Sequence, residues 1–288
     1  MPTPTVSFEF FPPAEESGAR ELLACVERLA PLNPHFVSVT YGADGSTRHR
    51  TLTSVTRIRA ATGLNVVPHL TCVDASRDEV LEVAAGYWRL GIRHLIALRG
   101  DAPSAATARP HGQGFMYASE LVRGLSSVGD FGITVAAYPE GHPESGGVEA
   151  DVLNLKRKVD AGATRAITQF FFDTDVFLAY RDRCAAAGLP VRLVPGILPI
   201  TRMPQLLRFA ERCGASVPSW LRQRFEGLDD DPETRRMVAA HVAMEQVERL
   251  RDHGVDEFHF YTLNRAELTY AICHSLGLRP AIAQARVA

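Results

Sequence analysis

A chain of 288 residues with 46% hydrophobic and 22% charged residues has the composition of an ordinary globular protein, not of a disordered one. Its formal net charge of −2 supplies no global field that would draw it to nucleic acid or an anionic membrane. No run reaches the roughly 18 apolar residues of a membrane helix. Five scattered cysteines (Cys25, Cys72, Cys184, Cys213, Cys273), none in a CxxC pair, argue against a disulfide framework and a thiolate zinc site. The first five residues carry no charged region leading into an apolar run, so no secretory signal is visible and a cytoplasmic location is expected.

In chain order, short β-branched and aromatic runs predict strands at 6–11, 36–41, 65–72, 93–98, 134–138, 166–171, 192–197 and 257–262. Amphipathic stretches between them predict helices at 15–29, 51–62, 77–90, 116–127, 150–161, 173–187, 203–213 and 234–253, with a short helix near 220–225. Gly63, Gly91, Gly162, Gly188, Gly214 and Gly254 stand where those helices should stop, as C-terminal caps do. Eight strands alternating with helices predict a parallel sheet, and that number favours a single (β/α)₈ barrel, an α/β fold. A doubly wound open sheet would carry GxGxxG after its first strand, and none follows. The segment 101–114 sits between a strand and a helix, so it reads as a site loop rather than a domain linker.

Barrel enzymes work at the C-terminal ends of their strands. Here that edge collects Glu9, Thr40, His69, Arg99-Gly100-Asp101, Tyr138, Gln169, Pro199 and Tyr261, whereas residues such as Val6, Phe36 and Thr134 open the strands and predict no comparable polar set at the other end. Such asymmetry marks an enzyme.

Strand alternation in Val6-Ser7-Phe8-Glu9-Phe10-Phe11 puts Ser7, Glu9 and Phe11 on one face and the apolar residues on the other. Glu9 is therefore expected to point into the barrel, with its pKa raised by burial, as a general acid requires. The alternative is a Glu9 neutralised by Arg99. Asp101 in Arg99-Gly100-Asp101-Ala102-Pro103 reads either as a fixed negative charge at the rim or as plain turn chemistry. Asn154, Arg157 and Lys158 share a helix face with Asp151 one turn earlier, a patch suited to a diphosphate or simply a solvated face. His69 and His142 have no further metal ligand at suitable spacing. Gln169, expected to alternate inward with Ile167 and Phe171, could bind the amide-like edge of a heterocycle. Phe209 and Tyr261 could stack on a ring.

These residues fall in an ordered series of motifs: Val6-Ser7-Phe8-Glu9-Phe10-Phe11-Pro12-Pro13, Phe36-Val37-Ser38-Val39-Thr40-Tyr41-Gly42-Ala43, Pro68-His69-Leu70-Thr71-Cys72, Leu98-Arg99-Gly100-Asp101, Ala136-Ala137-Tyr138-Pro139-Glu140, Ile167-Thr168-Gln169-Phe170-Phe171-Phe172 and Phe258-His259-Phe260-Tyr261-Thr262-Leu263-Asn264-Arg265. Together they resemble the bacterial methylenetetrahydrofolate reductases over nearly the whole chain. The resemblance implies noncovalent FAD, with NADH or NADPH reducing the flavin and the flavin then reducing 5,10-methylenetetrahydrofolate to 5-methyltetrahydrofolate. By motif, Glu9 matches the general acid and Asp101 the acidic residue that tunes the flavin. Thr40, His69, Arg99, Gly100, Asp101, Tyr117, Ala118, Ala137, Tyr138, His142, Asp151, Asn154, Arg157 and Lys158 match flavin-contacting positions. Gln169, Gln205, Phe209, Tyr261 and Arg265 match positions that hold folate or the nicotinamide nucleotide. It further implies a homo-oligomer with small-molecule substrates, in which neither nucleic acid nor membrane is a partner. Two departures stand out. The loop 102–115 is longer than in close relatives, and the chain stops at Ala288, so no C-terminal regulatory domain is expected. A hydrolase built on a Glu9–Glu140 carboxylate pair and a noncatalytic binding module are the competing readings.

Overall fold

The computed structural model describes residues 3–41, 48–73, 75–100, 114–200 and 202–280. Strands β1 (Thr5–Phe10), β2 (Phe36–Val39), β3 (Val66–Thr71), β4 (His94–Leu98), β5 (Gly132–Ala137) and β6 (Arg165–Thr168) pair in parallel, each with the next. The seventh position is divided. β7 (Arg192–Val194) pairs with β6, and β8 (Gly196–Ile197) pairs with β9 (Glu257–Tyr261), which returns to β1. Pro195 stands between the two segments; it has no N–H to give the ladder, but its carbonyl accepts from His259 N at 3.0 Å. One strand thus joins both edges and the sheet closes into a barrel.

Helices α1 (Glu16–Leu29), α2 (Arg48–Thr62), α3 (Arg77–Arg89), α4 (Ala118–Leu125), α5 (Val148–Asp160) and α6 (Thr174–Ala186) follow the first six strands. α7 (Met203–Cys213), α8 (Ser219–Phe225) and α9 (Pro232–Asp252) fill the connection to β9. Local chemistry sets their ends. Ser76 and Glu79 form a reciprocal capping box on α3, while Asp173 and Asp231 cap α6 and α9. Gly214 ends α7 with a φ of 70°, a left-handed turn that costs glycine nothing. In α9 the buried positions Ala239, Val242, Ala243, Gln246, Val247 and Leu250 keep the helical period expected of a core-facing stripe. A tenth helix, α10 (Ala266–Ser275), lies beyond those read from the sequence. Its Leu-Thr-Tyr-Ala-Ile-Cys run mixes strand-like and helix-like residues, so its pattern is weak.

Val6, Phe8 and Phe10 are at most 1% exposed and pack outward under the helices, as alternation requires. Inside the barrel Phe36, Val67, Ile96, Ile167 and Val194 form a separate plug. Beneath that plug the sequence reading needs correcting: the N-terminal end is also polar. Buried Glu257 is ion-paired by Arg165 and Arg192, with His35 Nδ1 at 3.5 Å. Arg165, Arg192 and Glu257 begin their strands and His35 immediately precedes β2, so the sequence reading, which judged this end by Val6, Phe36 and Thr134, passed over them. These residues line a groove of about 810 Å³ at this end, but their charges are paired to one another, and conserved polar groups at the N-terminal end of such barrels serve stability. Among the described residues no helix is long and apolar enough to cross a membrane.

Candidate active site

The C-terminal mouth opens into two contiguous clefts of about 410 and 490 Å³, each within the usual size of a ligand site. Leu98, Arg99, Ala136, Tyr138 and His142 line both.

The first cleft holds Glu9, Thr40, His69, Gly100, Gln169, Phe209 and Tyr261. β1 carries Glu9 inward, where its Oε2 meets His69 Nε2 at 3.3 Å and His259 Nε2 at 3.4 Å. His259 Nδ1 in turn lies 2.8 Å from Ser7 Oγ. An N–H at His259 Nε2 facing the carboxylate leaves Nδ1 to accept from the Ser7 hydroxyl. Burial pushes the Glu9 carboxyl up, but the charge and hydrogen bonding of His69 and His259 outweigh it and hold the group at about 2. The expected raised pKa is thus overturned for the protein without ligands. Alternation foretold the burial of Glu9 correctly, but not the two imidazoles that β3 and β9 bring against it. The proposed Arg99 partner is also displaced, since Arg99 Nη2 bonds Glu144 Oε2 at 2.5 Å.

Tyr261 donates its hydroxyl to Thr168 O at 2.7 Å, and its pKa is raised by burial and by the nearby Glu9 carboxylate. Its ring lies over Gly196, where a Cβ would fall 2.6 Å from Tyr261 Cε2 and 2.3 Å from Thr168 O. Gln169 Oε1 accepts from the next amide, Phe170 N, at 3.0 Å. Phe171 does not share its inward direction: β6 ends at Thr168, and Phe171 stacks on Phe177 of α6 in the helix layer. Gly100 takes a φ of 88°, and a Cβ there would sit 2.6 Å from Val73 Cγ1.

The second cleft brings together Tyr117, Ala118, Asp151, Asn154, Arg157 and Lys158 from α4, its approach and α5. Asp151 is buried; its Oδ2 accepts from His142 N at 2.6 Å and Ser145 Oγ at 2.7 Å, which folds the turn before α5. Arg157 donates to Asn154 Oδ1 at 2.6 Å. Lys158 Nζ donates to Ala136 O at 2.8 Å and stands 5.6 Å from the Tyr138 ring. Burial draws the Lys158 ammonium down to about 8, against the opposing pull of Asp151. Arg99, Arg157 and Lys158 thus surround a cleft walled by Ala97, Ala118 and Tyr117. That donor set suits an anionic ligand with a flat apolar end.

Some sequence-predicted residues fall elsewhere. The Ala137 side chain is 1% exposed in the core, while Ala136 lines the clefts. Gln205, on α7, lines neither cleft, and Arg265 faces a neighbouring groove. Asp101 and residues 102–113 lie outside the described residues. Glu140 does not line the mouth; its carboxylate accepts from Ser216 N at 2.9 Å, so no Glu9–Glu140 hydrolytic pair is built. No cluster of three metal ligands occurs among the described residues. Sequence reasoning missed Ser7, His259 and Glu144. The first two were within reach, because Ser7 shares the inward face of Glu9, and His259 alternates inward with Tyr261.

A closed parallel barrel whose polar mouth pairs an imidazole-flanked carboxylate with an adjoining cation-lined cleft defines a (β/α)₈ enzyme. The family model described as methylenetetrahydrofolate reductase matches residues 2–277, and the chain belongs to that family of folate oxidoreductases. It is 54% identical over 279 residues to the 5,10-methylenetetrahydrofolate reductase of Pectobacterium carotovorum, covering 97% of this chain and 92% of the relative. Against the protein of the same name from Escherichia coli it is 53% identical, covering 96% and 92%. The Arabidopsis thaliana methylenetetrahydrofolate reductase (NADH) 1 is 37% identical over 94% of this chain, but that match spans 48% of the plant protein. A solved Clostridium thermocellum protein, described as binding two copies of 5-methyl-5,6,7,8-tetrahydrofolic acid, superposes with a TM-score of 0.66 at 13% identity, over 96% of this chain and 94% of that one. At that identity it shares the fold.

Proposed function

We propose that the chain reduces 5,10-methylenetetrahydrofolate to 5-methyltetrahydrofolate with NADH or NADPH as electron donor, in two half-reactions through a noncovalently bound FAD. The observation that carries this reading is the pair of clefts meeting at Arg99 and Tyr138: one is cationic and suited to a dinucleotide, the other holds a proton-transferring group. Arg99 and Tyr138, which line both clefts, would hold a flavin across them, and the flavin would supply the hydride chemistry between nicotinamide and folate.

The protein's own part is to hold ligands and move a proton. Arg99, Arg157 and Lys158 would hold the diphosphate, and Tyr117 and Ala118, which line the same cleft, would pack against the rest of the dinucleotide. Asp151 and Asn154 fix this wall indirectly, through the turn at His142 and through Arg157. Thr40, His69, Gly100, Tyr138 and His142 line the cleft that would hold the flavin ring, Ala137 is in the core behind it, and the tuning role of Asp101 is what the family resemblance implies. In the folate, the bond from N10 to the methylene carbon breaks; N10 takes the electron pair and a proton, and the carbon receives hydride. Glu9 delivers that proton. Since Glu9 is ionised in the free protein, it takes up its proton from solvent in the open mouth before delivering it, with its Oε2 held 3.4 and 3.3 Å from the His259 and His69 imidazoles. Gln169, Phe209 and Tyr261 orient the pterin; Gln205 and Arg265, for which the family resemblance implies substrate contacts, do not line this cleft.

Purified protein should show the visible absorbance of oxidised flavin. Anaerobic NADH or NADPH should bleach it, and methylenetetrahydrofolate should restore it. A colourless protein that binds no added FAD would contradict the reading.

A further inference from the structure

Phe11 stands just beyond β1, two residues from Glu9 on the same face, and lines the cleft that holds Glu9. Its side chain is 42% exposed. Among the described residues its ring stacks on no other ring and meets no cation. Of the large apolar side chains left exposed among those residues, Phe11 and Tyr117 are the two that line the clefts, and the proposed chemistry does not use Phe11. A bare aromatic face kept in water at the mouth is a surface that a flat ligand can cover.

The backbone holds that face in place. Phe11 N donates to Asn264 Oδ1 at 3.0 Å, and Phe11 O accepts from Asn264 Nδ2 at 2.9 Å. One side-chain amide thus grips both polar groups of the residue, as a neighbouring strand would. Asn264 reaches it through a turn in which Leu263 and Asn264 both take positive φ, a conformation that residues other than glycine seldom adopt. Thr262, at the start of that turn, donates to Glu9 O. Glu9 and the exposed ring are therefore held by one frame.

Spacing selects the group that Phe11 meets. Two residues along an extended strand advance about 6.6 Å, which sets Phe11 that much nearer the rim than Glu9. In methylenetetrahydrofolate the nitrogen that takes the proton, N10, is bonded directly to the aminobenzoyl ring. A folate with N10 at the Glu9 carboxylate carries that ring into the space beside Phe11. The nicotinamide nucleotide differs at the corresponding place: its reacting ring is bonded to a ribose, whose hydroxyls find no partner on an apolar face.

We propose that Phe11 packs against the aminobenzoyl ring of the folate and is a specificity-determining residue, favouring the folate and not the nicotinamide nucleotide. This rests on the reading of Glu9 as the group that protonates N10.

The test follows the two half-reactions separately in flavin-loaded wild type, Phe11→Ala and Phe11→Tyr. In Phe11→Ala the methylenetetrahydrofolate concentration that half-saturates flavin reoxidation should rise about three- to tenfold, the size of one aromatic contact. Half-saturation by the nicotinamide nucleotide should not change, and Phe11→Tyr, which keeps a ring, should retain the wild-type folate value. Should the alanine variant fail to fold, Phe11→Leu should show the same one-sided loss. Unchanged folate saturation, or equal losses for both substrates, would overturn the proposal. Equilibrium binding separates it from the reaction itself, with tetrahydrofolate compared against a tetrahydropterin that lacks the aminobenzoyl group. Removing the Phe11 ring should weaken tetrahydrofolate alone, and equal weakening of both ligands would contradict the contact. If wild type reduced no folate, the proposed reaction would fail while this comparison still read Phe11.

Discussion

Lys158 shows how a single buried cation can be poised for an anion. Its ammonium is drawn down to about 8 because burial removes water from it. An arriving diphosphate would stabilise the charged form and lift that pKa, so the complex holds a proton that the free protein begins to release above pH 8. Linkage then fixes the sign. Affinity for flavin should be level below about pH 8 and weaken as pH rises past it, by up to about tenfold per unit. Flavin titrations from pH 6 to 10 check this: wild type should bend near 8, and Lys158→Met should bind more weakly with the bend removed. A bend of equal size in the variant would assign the titration to another group. Glu9 obeys the opposite logic. Two imidazoles favour its carboxylate, so a raised pKa, the property expected of a lone buried acid, does not apply to it before ligands bind.

At the scale of elements, the site depends on how β1, β6, β8 and β9 are pinned together. Thr262 Oγ1 donates to Glu9 O at 2.6 Å, and the Asn264 amide both accepts from Phe11 N at 3.0 Å and donates to Phe11 O at 2.9 Å. Leu263 and Asn264 adopt φ values of 51° and 55° to reach these positions, a strained turn of the kind that gathers at functional sites. Across the seam, Gly196 leaves the space that the Tyr261 ring occupies. Gly196→Ala should destabilise the fold by about 1–3 kcal/mol through overpacking and raise the folate KM as Tyr261 shifts. Thermal unfolding together with steady-state kinetics checks this; a variant with unchanged melting and KM would show that the recess is not needed.

Much of this architecture was legible in the chain. Periodicity placed α7 at its observed bounds, and the alternation around Glu9 gave its inward direction. What escaped were relations between distant segments. His259 stands 250 residues from Glu9, and the pairing of the two arises only when β9 closes on β1. Arg99 pairs with Glu144 from a loop that has no periodicity to read. The weakly patterned α10 was lost for lack of contrast between its strand-like and helix-like residues.

For the whole molecule, the barrel separates the buried Glu257 from the half-buried Glu9 by an apolar plug. Glu257 at the floor is held by the forked donors of two arginines, and that pairing serves the N-terminal end of the barrel. Glu9 at the mouth is instead flanked by two histidines, and it borders the cleft that adjoins the cation-lined one. The same residue type is structural at one end and chemical at the other, because its partners differ. The direct measurement is anaerobic stopped-flow on Glu9→Gln, following flavin absorbance in each half-reaction separately. The account predicts bleaching by the nicotinamide nucleotide near the wild-type rate, and recovery with methylenetetrahydrofolate slowed by at least about 10²-fold, the usual worth of a general acid. Recovery at the wild-type rate would contradict it.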